Sequence, residues 1–382
     1  MLKSKTICPN FYRIKSGKKL FSFNEDIGLV PILGLPLALY QLQTIEALGA
    51  KLFDISNELE IKESEYFIFD EDLVFTPEFV KATINSALTK RTSFRTILNQ
   101  NAFNERFSLP HSLEGDSHLK FNFYYRNKIN AGIEEMVIPQ KTFKYSITLP
   151  NQIVLGGQYH FDQCDTLISR IASPFHLLQI NIAINFSRLI KIRNLLPDWA
   201  ADKIAPNNSW LRNKRFKSLN RFGKFCKIHP KAIIENAILG DNVTIGANVI
   251  IRHSIIGDGC NINDSASIVN SVLGKRNTIA SGNHINLCLT YDDVYLIHGP
   301  YQLSVFGLSS AVFAVINCDI RLDQKTISIP TDIGILDSKQ PLLGIAYGHY
   351  SKVGGGNIIA SGRIVPNDKI IAPPETIILK FD

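Results

Sequence analysis

From Leu239 the chain places an aliphatic residue at every sixth position, with a five-residue step after each third: Leu239, Ile245, Ile251, then Ile256, Ile262, Ile268, then Leu273, Ile279, Ile285. The phase returns at Val353, Ile359, Val365, Ile371 and Ile377. A strand alternates with period two and a helix repeats at about 3.6, so neither produces this pattern. One inward aliphatic per six residues, followed by Gly, Asp, Asn or Ala that can turn the chain, predicts the flat strands of a triangular parallel coil with three units per turn. Stacked coils bury their aliphatics in one continuous column. The pattern predicts such a solenoid over residues 228–382, with an excursion at about 291–352 where the period is lost. Long excursions from a solenoid cluster on one face and often build its ligand surface.

The first half, residues 1–210, shows other periods. "PLALYQLQTIEALGAKLFDI" predicts a helix with Ala38, Leu42, Ile45 and Leu48 on one face, ended by Gly49, then a strand. "EYFIFDEDLVFTPEFVKATINSAL" predicts a buried strand, an acidic loop, and a helix begun by Thr76 and Pro77. This order suggests an α/β sheet of the doubly wound, Rossmann-like type, whose chemistry sits at the carboxyl ends of its strands. Asp70, Glu71 and Asp72 would then lie at the mouth of the site. "FNFYYRNK" and "YSITLP" read as strands by their aromatic and β-branched content. "PFHLLQINIAINFSRLIKIRNLLPDW" reads as a long amphipathic helix, used to join the two halves and cover an end of the coil rather than to lie on a membrane.

The segments "LVPILGLPLALYQL" and "FIFDEDLVFTPEF" resemble two signatures of sugar-phosphate nucleotidyltransferases: the apolar run with its Gly-x-Pro turn after the catalytic loop, and the strand ending in a magnesium-binding aspartate. The repeat resembles the left-handed β-helix of hexapeptide-repeat proteins. A β-helix after such a domain is the layout of the bifunctional N-acetylglucosamine-1-phosphate uridylyltransferase family. The resemblance implies substrate binding near Gly34 and Pro36 and a Mg2+ ion on Asp72. It also implies a coenzyme A thioester as acyl donor, with a histidine base at a groove of the β-helix. His284 is the candidate, ahead of His298 and His349, because it precedes the inward Ile285 and so projects outward. A homotrimer is the assembly the resemblance implies.

The departures are equally definite. The family's loop is of the form Gly-Gly-x-Gly-Thr-Arg, and residues 1–28 hold only Gly17 and Gly28. Aligning Gly34 and Pro36 puts Ile27 where the family has its lysine, leaving Lys15, Lys18 or Lys19 as substitutes. Phosphoryl-type transfer relies on positioning and charge stabilisation, so these losses predict an inactive nucleotidyl site. Two readings follow: a divergent sugar-phosphate or nucleotide-sugar transferase, with acyl transfer at the β-helix, or a non-catalytic regulatory or scaffold subunit that binds a nucleotide sugar.

Bulk properties narrow the setting. The chain has 382 residues, 45% of them hydrophobic and 20% charged, and no run long enough for a signal peptide or membrane span, which predicts a cytoplasmic globular protein. Six scattered cysteines without C-x-x-C spacing read as reduced thiols rather than a zinc site. The net charge of +7 is concentrated in "LRNKRFKSLNRFGKFCK", seven cations without an acid, read as a basic linker over 211–227 rather than a nucleic-acid site.

Overall fold

The computed structural model describes residues 8–108, 118–129, 132–143, 146–152, 155–160, 162–194 and 219–372. The N-terminal half is built on a six-stranded mixed sheet. Its elements are β1 (Asn10–Ile14), α1 (Leu37–Glu46), β2 (Leu52–Ile55), β3 (Glu65–Asp70), α2 (Pro77–Lys90), β4 (Phe94–Asn99), α3 (Ala102–Ser108), β5 (His118–Asn127) and β6 (Glu134–Val137). The strand order is β2-β1-β3-β5-β4-β6, with β1 parallel to β2 and β3, and β5 antiparallel to both β3 and β4. Thr76 caps α2 by accepting a bond from the Phe79 amide, with Pro77 in the first turn, as the sequence predicts. Ile45 of α1 and Phe79 and Val80 of α2 share a core with Phe11, Phe67 and Phe123 of the sheet. On α1 the fully buried residues are Leu37, Gln41, Thr44 and Ile45, so the buried face is rotated from the one expected, with Ala38, Leu42 and Leu48 only partly covered. Gln41 explains the rotation: its amide bonds the carbonyls of Glu71 and Leu73 and accepts from the Arg13 guanidinium.

The C-terminal half is the expected parallel β-helix. Two of its faces are eight-stranded parallel sheets and the third begins as a five-stranded one. Ile238 pairs with Ile255, Ile245 with Ile262 and Ile251 with Ile268, one coil apart on each face. Leu239, Ile245, Ile251, Ile256, Ile262, Ile268, Leu273, Ile279 and Ile285 all lie buried in one column. At the corners Asn236, Asn242, Asn248, His253, Gly259, Ser265 and Asn270 have φ between +49° and +68°, which is why small polar and turn-forming residues recur there. Val353 and Val365 resume the column, Ile359 and Ile371 are partly buried, and Ile377 lies outside the described residues.

Three boundaries differ from expectation. The solenoid starts by Arg221–Phe222, inside the span read as a linker, whose residues 211–218 lie outside the described ones. The excursion is shorter than 291–352: strands at Tyr295–Ile297, Tyr301–Gln302, Val305–Phe306 and Ala311–Phe313 continue the coils, and only after Ile316–Asn317 does the chain leave them, returning at Ala346–Tyr347. The excursion carries a hairpin, Ser328–Thr331 with Gly334–Asp337. It packs on the N-terminal half of its own chain, with Gln324 bonded to the carbonyls of Asn151 and Gln152 and with Ile327, Ile329 and Leu343 in one core with Phe103, Phe107 and Ile171.

The long helix α4 (Pro174–Asn194) is buried at every residue from Pro174 to Asn185. It covers a flank of the solenoid rather than an end. The outward residues Ile255, Val272, Leu289, Val305 and Ala346 of the first face are apolar and buried in the core that holds Leu177, Leu178, Ile180 and Ile184 of α4. A helix covered on both sides has no need of an amphipathic pattern. The outward residues of the second face, Thr244, Asn261, Thr278 and Tyr295, stay uncovered or half covered.

Candidate functional site

In an open α/β sheet the crevice forms where neighbouring strands send their connections in opposite directions. Here that place is between β1 and β3, and the loop Lys15–Lys18 after β1 meets the acidic loop Asp70–Asp72 after β3. Glu71 is 2% exposed. Its carboxylate accepts bonds from the Ser16 amide (2.7 Å), the Ser16 hydroxyl (2.7 Å) and the Lys18 amide (3.2 Å), and the Lys15 ammonium stands 3.7 Å away. The backbone N–H groups that a phosphate loop would offer to a ligand are therefore taken by an anion of the chain itself. Burial pushes the Glu71 pKa up, but the Ser16 and Lys18 donors and the Lys15 charge outweigh it, so the carboxyl titrates below its ordinary range.

Asp72 is also 2% exposed, and its Oδ2 accepts from the Lys18 ammonium (2.8 Å) and the Arg170 guanidinium (2.7 Å). Two cations neutralise Oδ2, while Oδ1 is buried without a hydrogen-bond partner among the described residues, so Oδ1 is the oxygen a magnesium ion would use. Burial lowers the Arg170 pKa, and Asp72, Asp70 and Asp332 raise it by more. Asp332 lies in the turn between the two strands of the excursion hairpin. Of the three lysines offered as substitutes, Lys15 and Lys18 stand in the mouth and pair with acids, while Lys19 is exposed on a bridge to Asp26.

Beside the mouth lies an open cleft of about 250 Å³ whose lining includes Ile14, Phe69, Asp70, Asn122, Tyr124 and Arg126. Asn122 donates to Asp70 (2.9 Å) and accepts from Tyr124 (3.1 Å) and Arg95 (3.1 Å). The Arg126 guanidinium stands 4.8 Å from the centre of the Tyr124 ring. Asn122, Tyr124 and Arg126 alternate along β5, so the strand's two-residue period presents all three on one side. A second cleft, about 190 Å³, opens between α3 and the excursion, lined by Arg106, Tyr159, Asp162 and Lys339 among others.

The remaining candidates lie apart from this crevice. Gly34 (φ +83°) and Leu33 (φ +50°) form the turn of a hairpin, Pro31–Ile32 with Leu35–Pro36. That hairpin is tied to α4, the Leu33 amide donating to Asn181 at 2.7 Å and Asn181 donating to the Pro31 carbonyl at 2.9 Å. Pro36 is exposed and opens α1. His284 does project outward, exposed on the third face, and no hydrogen bond among the described residues orients its ring. His298 is an exposed corner residue with φ +56°. His349 is buried instead, its Nδ1 accepting from the Leu308 amide (2.9 Å) and its Nε2 lying 3.6 Å from Glu25. Tyr291 also donates to Glu25 (2.8 Å), and Asn367 to the Phe23 carbonyl (2.7 Å), so the loop that follows Lys18 is pinned to the solenoid. Neither the Glu71 arrangement nor the Arg170 partner carries a signal in the sequence, because the first joins backbone amides and the second spans 98 residues.

Replacing Glu71 by Gln is expected to cost about 1 kcal/mol at pH 7, as the charge-assisted part of its bonds is lost. A carboxyl with a depressed folded pKa contributes stability above its unfolded value of about 4.3, and that contribution disappears as pH falls through the folded value. Melting curves of parent and variant should therefore differ at pH 7 and converge as pH falls below about 4. A gap that widens on acidification would mean that Glu71 is held protonated.

Residues 221–329 match the family model described as the GMPPB C-terminal domain, the β-helical C-terminal region of sugar nucleotidyltransferases. The match covers the first coils of the solenoid and part of the excursion. No curated protein matches the chain. Among the described residues no helix is long and apolar enough to cross a membrane.

Proposed function

We propose that this chain is a non-catalytic member of the sugar nucleotidyltransferase-related proteins, a binding subunit that takes a sugar phosphate or nucleotide sugar at the β1–β3 crevice. The observation that carries the reading is the Glu71 carboxylate on the Ser16 and Lys18 amides. Transfer of a nucleotidyl group needs donors aimed at charge that develops on phosphate oxygens. Donors committed to an internal carboxylate do not supply that, and Lys18 and Arg170, the cations beside them, are paired with Oδ2 of Asp72. The cleft beside them keeps a set of hydrogen-bonding groups around Asn122 and an aromatic wall at Tyr124, a composition suited to the hydroxyl groups and flat faces of a sugar or nucleoside.

Pyrophosphate release is the direct test of inactivity. With magnesium, common sugar 1-phosphates and each of the four triphosphates, no turnover is expected; rates on the order of 1 per second or more would overturn the reading. Calorimetric titration with a panel of nucleotide sugars should give saturable binding that Tyr124→Ala and Asn122→Ala weaken. Absence of binding to every member would remove the ligand half of the proposal and leave a scaffold.

A further inference from the structure

The first coil of the solenoid differs from every later one. From Leu219 to Ile234 it holds Arg221, Lys224, Lys227 and Lys231 with His229 and no acid, and all five side chains are exposed. Of the acids in the next coil, Asp241 is exposed and accepts from the Lys224 backbone amide at 2.6 Å, and Glu235, which follows the first coil, is buried against Arg252 at 2.7 Å. Arg188 of α4 lies close enough to Arg221 for its own pKa to be lowered, first by burial and then by that neighbour. The strands Arg221–Phe222, Lys227–Ile228 and Ile233–Glu235 are each the last of their sheet, so this coil is the end of the stack.

Lysines on an open strand edge can be explained as a guard against edge-to-edge pairing. Phenylalanines cannot. Phe222 is 52% exposed and Phe225 79% exposed, and Ile233 beside them is 39% exposed. Phe222 occupies the column position that Leu239 fills one coil later, so the end of the apolar column itself faces outward. A ring of cations around exposed aromatic and aliphatic side chains on a blunt end matches a surface that is negatively charged and apolar just beneath. A nucleic-acid strand would ask for a groove that tracks its backbone, and neither cleft described above includes a residue of this coil. We infer that the first coil is a docking surface for a membrane leaflet rich in anionic lipid, with Phe222 and Phe225 entering the headgroup region and Arg221, Lys224, Lys227 and Lys231 pairing with lipid phosphates and carboxylates.

The test is flotation of the full-length protein with vesicles of phosphatidylcholine alone and of phosphatidylcholine with phosphatidylserine. Binding is expected only to the anionic vesicles and is expected to be lost at about 0.5 M salt. Lys224→Glu with Lys227→Glu should weaken it by at least about tenfold. Phe225→Asn, which suits the left-handed corner (φ +58°), should weaken it without changing the charge, and it carries the test should the double variant fail to fold. Equal binding to neutral vesicles, no binding to either, or tighter binding to a DNA or RNA oligonucleotide than to anionic vesicles would overturn the inference. So would binding unaffected by Phe225→Asn together with either an unaffected or an unfolded double variant.

Discussion

Ile262→Asp is expected to abolish the cooperative melting of the solenoid, while Ile359→Asp, at the same phase of the repeat, is expected to lower it only in part. Ile262 is 0% exposed and has column neighbours above and below, Ile245 and Ile279. A carboxylate there would stand among the aliphatic side chains of the column, and the cost of an uncompensated buried charge is at least about 4 kcal/mol. Ile359 is partly buried, so an aspartate there keeps some access to solvent. Thermal melts of the two variants followed by far-ultraviolet circular dichroism check both the phase and the gradient. Equal melting of the two would contradict the gradient, and an unchanged melt of Ile262→Asp would contradict the phase.

The second large effect concerns a residue with no side chain. A Cβ built on Gly257 would lie 2.5 Å from the carbonyl carbon and 2.5 Å from the carbonyl oxygen of Gly274, the residue at the same position one coil on. Gly223 meets Gly240, and Gly274 meets the Tyr291 carbonyl, in the same way. The obstructing atoms are backbone and cannot swing aside, so the coils must separate for Gly257→Ala to fit. Overpacking of this kind costs about 1–3 kcal/mol, toward the upper end where neither side can yield. Gly132→Ala is the control: nothing lies within 4 Å of its Cβ and it has no left-handed φ, so the change should be close to neutral. Equal denaturation midpoints for the two variants would show that the coils have slack.

The solenoid was legible because each inward residue has one neighbour in sequence phase and one in the next coil, and both demand an aliphatic. Its middle was misread for a physical reason. Tyr301 and Phe306 are also inward, but they are aromatic, and the coils there advance by 16 residues rather than 17, as the pairings Ile285 with Tyr301 and Leu289 with Val305 show. A one-residue slip combined with larger side chains hides a six-residue period. The α/β elements and the position of Asp72 at a strand end followed from local patterns. What holds Asp72 did not, since Lys18 and Arg170 come from distant segments. The apolar outward column of the first face was present in the sequence at Ile238, Ile255, Val272 and Leu289, and would have predicted a covering helix along that flank.

The excursion also interrupts the even spacing of loop closures along the solenoid. Coils before it meet partners 16 or 17 residues away, so each new strand closes a short loop onto a finished edge, and growth resembles a zipper with a modest entropic cost at every step. Val305–Phe306 has to wait for Ala346–Tyr347, 41 residues on. Loop-closure entropy makes that single step about 0.8 kcal/mol more costly than its predecessors. The delay falls where the intervening chain docks on the N-terminal half through Ile327 and Ile329. The last coils are therefore coupled energetically to the N-terminal half, because the same packing that holds the excursion in place brings the two ends of the long closure together.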